Sequence, residues 1–169
     1  MQFSEPKDAS DGAEHRYLIA LGSNMRVPGI GGPRAVLTQV RSVFEARGLG
    51  VESLSPIMRS RPIGPSEREY ANAAAIILAQ AAPRQMLLLL QEIEADFGRR
   101  RTGAPWRRRQ LDLDIVLWSG GTWSSPDLTI PHALFRERDF VLQPCAAIAP
   151  GWRDPVTGLT LRQLAARAP

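Results

Sequence analysis

The residues best suited to chemistry lie between Arg99 and Asp114, in RRRTGAPWRRRQLDLD. Asp112 and Asp114 are two apart, so on a strand both carboxylates share one face, roughly 6 to 7 Å from each other, while Leu111, Leu113 and Ile115 point the other way. Paired carboxylates invite a divalent cation. Hard oxygen ligands on a rigid strand suit Mg²⁺, which keeps some of its waters and shares substrate phosphates, and two acids can bridge two ions for phosphoryl transfer. Just upstream, two arginine triplets (Arg99, Arg100, Arg101 and Arg107, Arg108, Arg109) flank Trp106. A cation-binding acid pair beside a guanidinium cluster matches the needs of a polyphosphate substrate, whose transfer depends on positioning and on neutralising charge. Taken singly, the acid pair also reads as a solvent-facing edge strand, and the triplets as a solvated loop or a nucleic-acid patch.

Other chemistries find little support. The chain has no G-x-x-x-x-G-K-[ST] loop, and GIGG at Gly29 to Gly32 lacks the third glycine of a dinucleotide fingerprint. His15 and His132 are the two histidines, too few for a histidine-based metal site. Cys145 is the single cysteine, which excludes an intrachain disulfide and reads as core. Among 21 basic residues only Lys7 is a lysine, and the net charge is +4. Arginine offers a planar fork that grips phosphate bidentately, so this balance favours an anionic partner, nucleotide or nucleic acid.

The elements that must position these residues are legible in part. The 169 residues, 44% hydrophobic and 22% charged, describe one ordinary globular domain. Residues 1–16 are polar and aperiodic and read as a mobile leader, leaving 17–169 as the domain. No signal-like N-terminus or span-length apolar run is present, so a cytoplasmic protein without a membrane partner is expected. Tyr17 to Leu21 is a continuous apolar run ending at Gly22, as in a buried central strand. Val36, Val40, Val43 and Phe44 recur at helical spacing before Gly48. Val51 to Ser60 and Tyr70 to Ala79 read as antiparallel strands joined through Arg61-Pro62-Ile63-Gly64-Pro65. Pro83 opens a second helix carrying Leu89, Leu90, Ile93 and Phe97 on one face and ending at Gly98. Leu111 to Trp118 reads as a fourth strand turning at Gly120-Gly121 into a hairpin with Thr122 and Trp123. The order βαββαβ is that of an α+β, ferredoxin-like fold, with both helices on one face. An additional C-terminal hairpin and helical segments at Phe135 to Ile148 and Leu159 to Ala166 would cover the other face.

Four stretches taken together resemble one family. They are Leu21-Gly22-Ser23-Asn24, then Arg61-Pro62-Ile63-Gly64-Pro65 with Tyr70-Ala71-Asn72-Ala73, then Leu111-Asp112-Leu113-Asp114-Ile115, then Leu128-Thr129-Ile130-Pro131-His132. This pattern, from Tyr17 to about Leu164, resembles 6-hydroxymethyl-7,8-dihydropterin pyrophosphokinase. The resemblance implies transfer of the β,γ-diphosphate of ATP to the hydroxymethyl group of the dihydropterin, with release of AMP, in folate biosynthesis. It implies Asp112 and Asp114 as ligands of two Mg²⁺ ions, with Arg99 and Arg109 gripping the triphosphate during transfer. Gln91, Glu94, Arg101, Ile115, Thr129 and His132 are the implied ATP contacts. For the pterin it implies Asn72 and groups near Ser60, Pro62 and Ile63 at the ring edge, with Tyr70, Trp106 and Phe140 as aromatic walls. ATP and the dihydropterin are then the partners of a monomer that binds no nucleic acid.

The alternative is a nucleic-acid-binding module on the same ferredoxin-like frame, its arginine triplets tracking a backbone. Acids on the central strand would repel phosphate there unless a metal intervened.

Overall fold

The computed structural model describes residues 12–60, 70–98 and 110–168. β1 (His15–Ser23) is the central strand its apolar run predicts, buried on both faces. It begins two residues before the expected start. His15 and Arg16 pair with Ala79 and Leu78, because the strand beside them is ten residues long and offers partners to its end. Arg16 remains at the surface, held by Glu52 at 2.6 Å. The expected leader therefore loses its last two residues to the sheet, and residues 1–11 lie outside the described residues.

α1 (Pro33–Ala46) opens on a proline and buries Val36, Leu37, Val40 and Phe44, the stripe its spacing predicts. Gly48 follows at φ 74°, a left-handed conformation that stops the helix. The expected strand Val51 to Ser60 is two strands, β2 (Gly50–Leu54) and β3 (Met58–Ser60). Pro56 has no N–H for a ladder, and Ser55 takes over locally. Its backbone N–H donates to the Ala74 carbonyl, and its hydroxyl accepts the Ala74 N–H, both at 2.8 Å. β4 (Tyr70–Ala79) thus pairs antiparallel with both pieces; the Arg61 to Pro65 connection lies outside the described residues.

α2 (Pro83–Asp96) buries Met86, Leu90, Ile93 and Glu94, and β5 (Asp112–Trp118) completes the sheet. Its strand order is β2-β4-β1-β5 with every pair antiparallel. Val36, Phe44, Met86 and Ile93 pack with Tyr17, Ile19 and Ile115 on one face, so both long helices share it.

The turn at Gly120-Gly121 makes a single bridge, Trp118 to Gly121. Contrary to expectation, Trp123 does not continue a hairpin with β5. β6 (Trp123–Ser125) pairs instead with β7 (Leu128–Ile130), and Trp123 lies opposite Ile130 with both side chains in the helix-covered core. The segment Phe135 to Ile148 is a 3-10 turn (Phe135–Glu137) and α3 (Asp139–Ile148), separated by Arg138 in an extended conformation. α4 (Leu161–Arg167) starts at a capping box, in which the Thr160 hydroxyl accepts the Gln163 backbone N–H and the Gln163 side-chain Oε1 accepts the Thr160 N–H. α3 and α4 cover the second face through Leu142, Cys145, Leu161 and Leu164 against Leu18, Ala74, Ile76 and Leu117. Burial pushes the Cys145 thiol up to about 12, consistent with a core residue.

Asp154, fully buried, holds this second layer. Arg136 grips both of its oxygens at 2.6 and 2.7 Å, Thr157 donates its hydroxyl, and Val156 its N–H. Burial alone would raise the Asp154 pKa, but these donors outweigh it and hold the value at about 2. Among the described residues no helix is long and apolar enough to cross a membrane.

Candidate active site

Register builds the site. Leu113 and Ile115 belong to the core under α1 and α2, so alternation turns Asp112 and Asp114 to the opposite face. Asp112 lies opposite Gly22 on β1, and Gly22 lies opposite Asn72 on β4. Asp114 lies opposite Ala20, and Ala20 opposite Ala74. The row Asp112, Gly22, Asn72 therefore crosses three strands, with acid and amide Cα atoms about 10 Å apart, two strand spacings. The residue between them has no side chain. A Cβ at Gly22 would stand 3.7 Å from Asn72 Oδ1 and 4.0 Å from Asp112 Cβ, so glycine keeps the space between the amide and the carboxylate clear. From the sequence, Gly22 is the end of a strand and part of the Leu21-Gly22-Ser23-Asn24 stretch, with no role of its own. A glycine inside a strand is a signal of close approach, but its partners are known only from the register.

Two of the expected pterin contacts meet at one end of this row. Asn72, 5% exposed, donates from Nδ2 to the Ser60 hydroxyl at 2.6 Å, and Ser60 sits opposite Tyr70. Tyr70 also lines a cavity of about 410 Å³ with Asn24, Pro33, Arg34, Ile57, Arg59 and Ala71 at the N-terminal end of α1. Phe140 lies in the first turn of α3, half-buried, with the Arg138 guanidinium 5.8 Å from its ring centre.

At the other end, a β-bulge delivers His132. Ile19 faces Ile115 and Leu18 faces Leu117, so Val116 has no partner on β1. The Val116 carbonyl accepts the His132 N–H at 3.1 Å, which ties the segment after β7 to β5 beside Asp114. His132 Nδ1 accepts the Leu134 N–H at 3.2 Å. With Nδ1 accepting, Nε2 is the donor nitrogen, and it lies 4.0 Å from Asp114 Oδ2.

Two of the expected nucleotide contacts, Glu94 and Ile115, meet at β5. Glu94, 3% exposed, accepts the Leu113 N–H at 2.8 Å and so holds the backbone between the two aspartates. Alternation aims the Ile115 N–H along the same edge, while its side chain is buried in the core, which leaves only main-chain groups for a ligand. Gln91 is half-buried one turn from Glu94, and Thr129 is exposed on β7. Arg99, Arg101, Trp106, Arg109, Pro62 and Ile63 lie outside the described residues.

The donor set fits Mg²⁺. Two carboxylates on one strand face lie beside Ala20 and Gly22, residues too small to cover them, and the Asp114 side chain is 39% exposed. Among the described residues no cluster of three or more His, Cys, Asp or Glu is placed to hold a metal, so a cation here would share its shell with water and substrate oxygens, as Mg²⁺ does.

A family model described as 7,8-dihydro-6-hydroxymethylpterin-pyrophosphokinase (HPPK) matches residues 18–150. The chain belongs to this family. It is 37% identical over 156 residues to a 2-amino-4-hydroxy-6-hydroxymethyldihydropteridine pyrophosphokinase of Pseudomonas aeruginosa, covering 91% of this chain and 92% of that protein. To the Synechocystis protein of the same name it is 35% identical over 150 residues, 89% of this chain and 74% of that one. A Plasmodium falciparum HPPK-DHPS crystal structure with pterin and p-hydrobenzoate shares its fold, at a TM-score of 0.72 and 13% identity over 94% of this chain and 42% of that one. Family membership decides between the two readings of the arginine-rich sequence: the nucleic-acid module finds no support, and the chain is an enzyme of the pyrophosphokinase type.

Proposed function

We propose that this protein transfers diphosphate from ATP to the hydroxymethyl group of 6-hydroxymethyl-7,8-dihydropterin, as a step of folate biosynthesis. The observation that best supports the site assignment is the row Asp112, Gly22, Asn72, in which a carboxylate and a buried amide share one sheet face with clear space between them.

In the transfer, the hydroxymethyl oxygen bonds to the β-phosphorus, and the bond from that phosphorus to the oxygen bridging the α-phosphate breaks. AMP leaves with the bridging oxygen, and the hydroxyl proton is lost to solvent. Asp112 and Asp114 would hold two Mg²⁺ ions, which when bound supply positive charge against the triphosphate. Asn72 reads the ring edge with an amide that both donates and accepts, Ser60 holds that amide in place, and Tyr70 and Phe140 flank the ring. The Nε2 proton of His132 faces the phosphate oxygens beside Asp114. Gln91, Glu94, Thr129 and the Ile115 main chain border the nucleotide along the outer edge of β5, and Arg101 adds a cationic contact. Arg99 and Arg109 neutralise charge as it spreads in the transition state. Trp106, Pro62 and Ile63 complete the pterin slot.

The strand order β2-β4-β1-β5 with α1 and α2 on one face supports a ferredoxin-like core, with β3, the β6–β7 hairpin and α3 and α4 added to it. The enzyme is read as a cytoplasmic monomer without nucleic-acid or membrane partners. The test of the function is whether AMP formation from ATP requires the dihydropterin.

A further inference from the structure

Gln110 joins three parts of the fold just ahead of the aspartate pair. Its carbonyl accepts the buried Ser23 hydroxyl at 2.6 Å, which ties it to the end of β1. The end of its carboxamide lies against the carbonyls of Phe97 and Gly98, and with the amide turned so that donor meets acceptor its nitrogen donates to them at 2.7 and 2.6 Å. These are carbonyls at the C-terminal end of α2, where a helix has no further turn of N–H groups to donate. One carboxamide has two N–H donors and can serve both.

Gly98 and Gln110 bound the sequence that carries both arginine triplets. Arg99 follows Gly98, and Arg109 precedes Gln110. Gly98 is at φ 92°, and a Cβ there would meet the Gln110 carboxamide at 2.5 Å, so glycine at 98 and glutamine at 110 fit as a pair.

We infer that Gln110 is a positioning residue for diphosphate transfer: its side chain clasps the C-terminal end of α2 to the start of β5, and so fixes the two ends, Gly98 and Gln110, of the sequence that carries Arg99 and Arg109. This rests on the function proposed above. An ordinary helix-end hydrogen bond would affect stability alone, whereas a clasp acting through the arginines affects the chemical step and only while those arginines are present. Small misplacements of transition-state groups cost up to about 100-fold in rate.

The test compares Gln110→Met, which keeps length and loses both donors, in the wild-type chain and in an Arg99→Ala/Arg109→Ala background. Gly98→Ala, whose methyl would displace the carboxamide, is a second break of the same contact. AMP formation is followed below the melting range of every variant. In the wild-type chain each break should lower kcat about 10- to 100-fold and leave KM for ATP within about threefold. In the arginine-free background the same break should cost no more than about twofold, since groups that act as a unit are not additive. An equal loss in both backgrounds, an unchanged kcat, or a change confined to melting temperature would overturn the clasp. Loss of activity in the double-arginine variant with no effect of either break would leave the arginine assignment standing and remove Gln110. A wild-type chain that forms no AMP would overturn the underlying function and the clasp with it.

Discussion

Gly22→Ala isolates the space between the amide and the acids. The new methyl would lie 3.7 Å from Asn72 Oδ1 and 4.0 Å from Asp112 Cβ, both ordinary van der Waals separations, so the protein without substrate accommodates it without strain. Replacing a strand glycine by alanine also narrows the unfolded ensemble, worth about 0.4 to 1 kcal/mol where the backbone allows it. Melting temperature should therefore hold or rise. A substrate that spans the row meets the same methyl as an intruder. Overpacking a fitted site costs about 1 to 3 kcal/mol, which is roughly a 5- to 150-fold loss of affinity. Calorimetric titration of the dihydropterin in the presence of a non-hydrolysable ATP analogue reads this directly, and Gly22→Val should deepen the loss. Binding of the ATP analogue alone should change little. Unaltered pterin affinity and kcat in Gly22→Ala, with a normal melting curve, would show that the substrate does not cross this row.

Two further outcomes follow from other parts of the structure. Asp112→Asn and Asp114→Asn should each lower turnover by more than about 100-fold, the scale for removing one well-placed electrostatic contact, with an unchanged circular dichroism spectrum; near-normal rates at saturating Mg²⁺ would refute the two-ion assignment. Asp154, held at about 2 in the folded protein, has an unfolded pKa near 3.9. Its stabilising contribution, about 2 to 3 kcal/mol, is complete above about pH 5 and is lost as pH falls through about 2. Asp154→Asn should flatten the wild-type loss of stability across that window, as read by urea melts at stepped pH, and parallel profiles would refute the linkage.

Much of the frame was legible because apolar spacing reports burial. The Tyr17 to Leu21 run, the Val36, Val40, Phe44 stripe and the Pro83 start each became the element expected. Period two also placed Asp112 and Asp114 on one face. What escaped were features that depend on two segments at once. Ser55 bridges the break at Pro56 by making a partner of Ala74, and Trp123 chooses Ile130 over β5. The bulge at Val116, which brings His132 to Asp114, is a mismatch between β1 and β5 that neither strand encodes alone. Gly22 acquires its meaning in the same way, from Asn72 on one side and Asp112 on the other.

The most direct measurement of the central claim is a product analysis of the purified protein with ATP and Mg²⁺, with and without 6-hydroxymethyl-7,8-dihydropterin. The account predicts AMP in equal amount to a diphosphorylated pterin, and no AMP above background when the pterin is omitted. ADP with a monophosphorylated pterin, or AMP formed at the same rate without pterin, would contradict it.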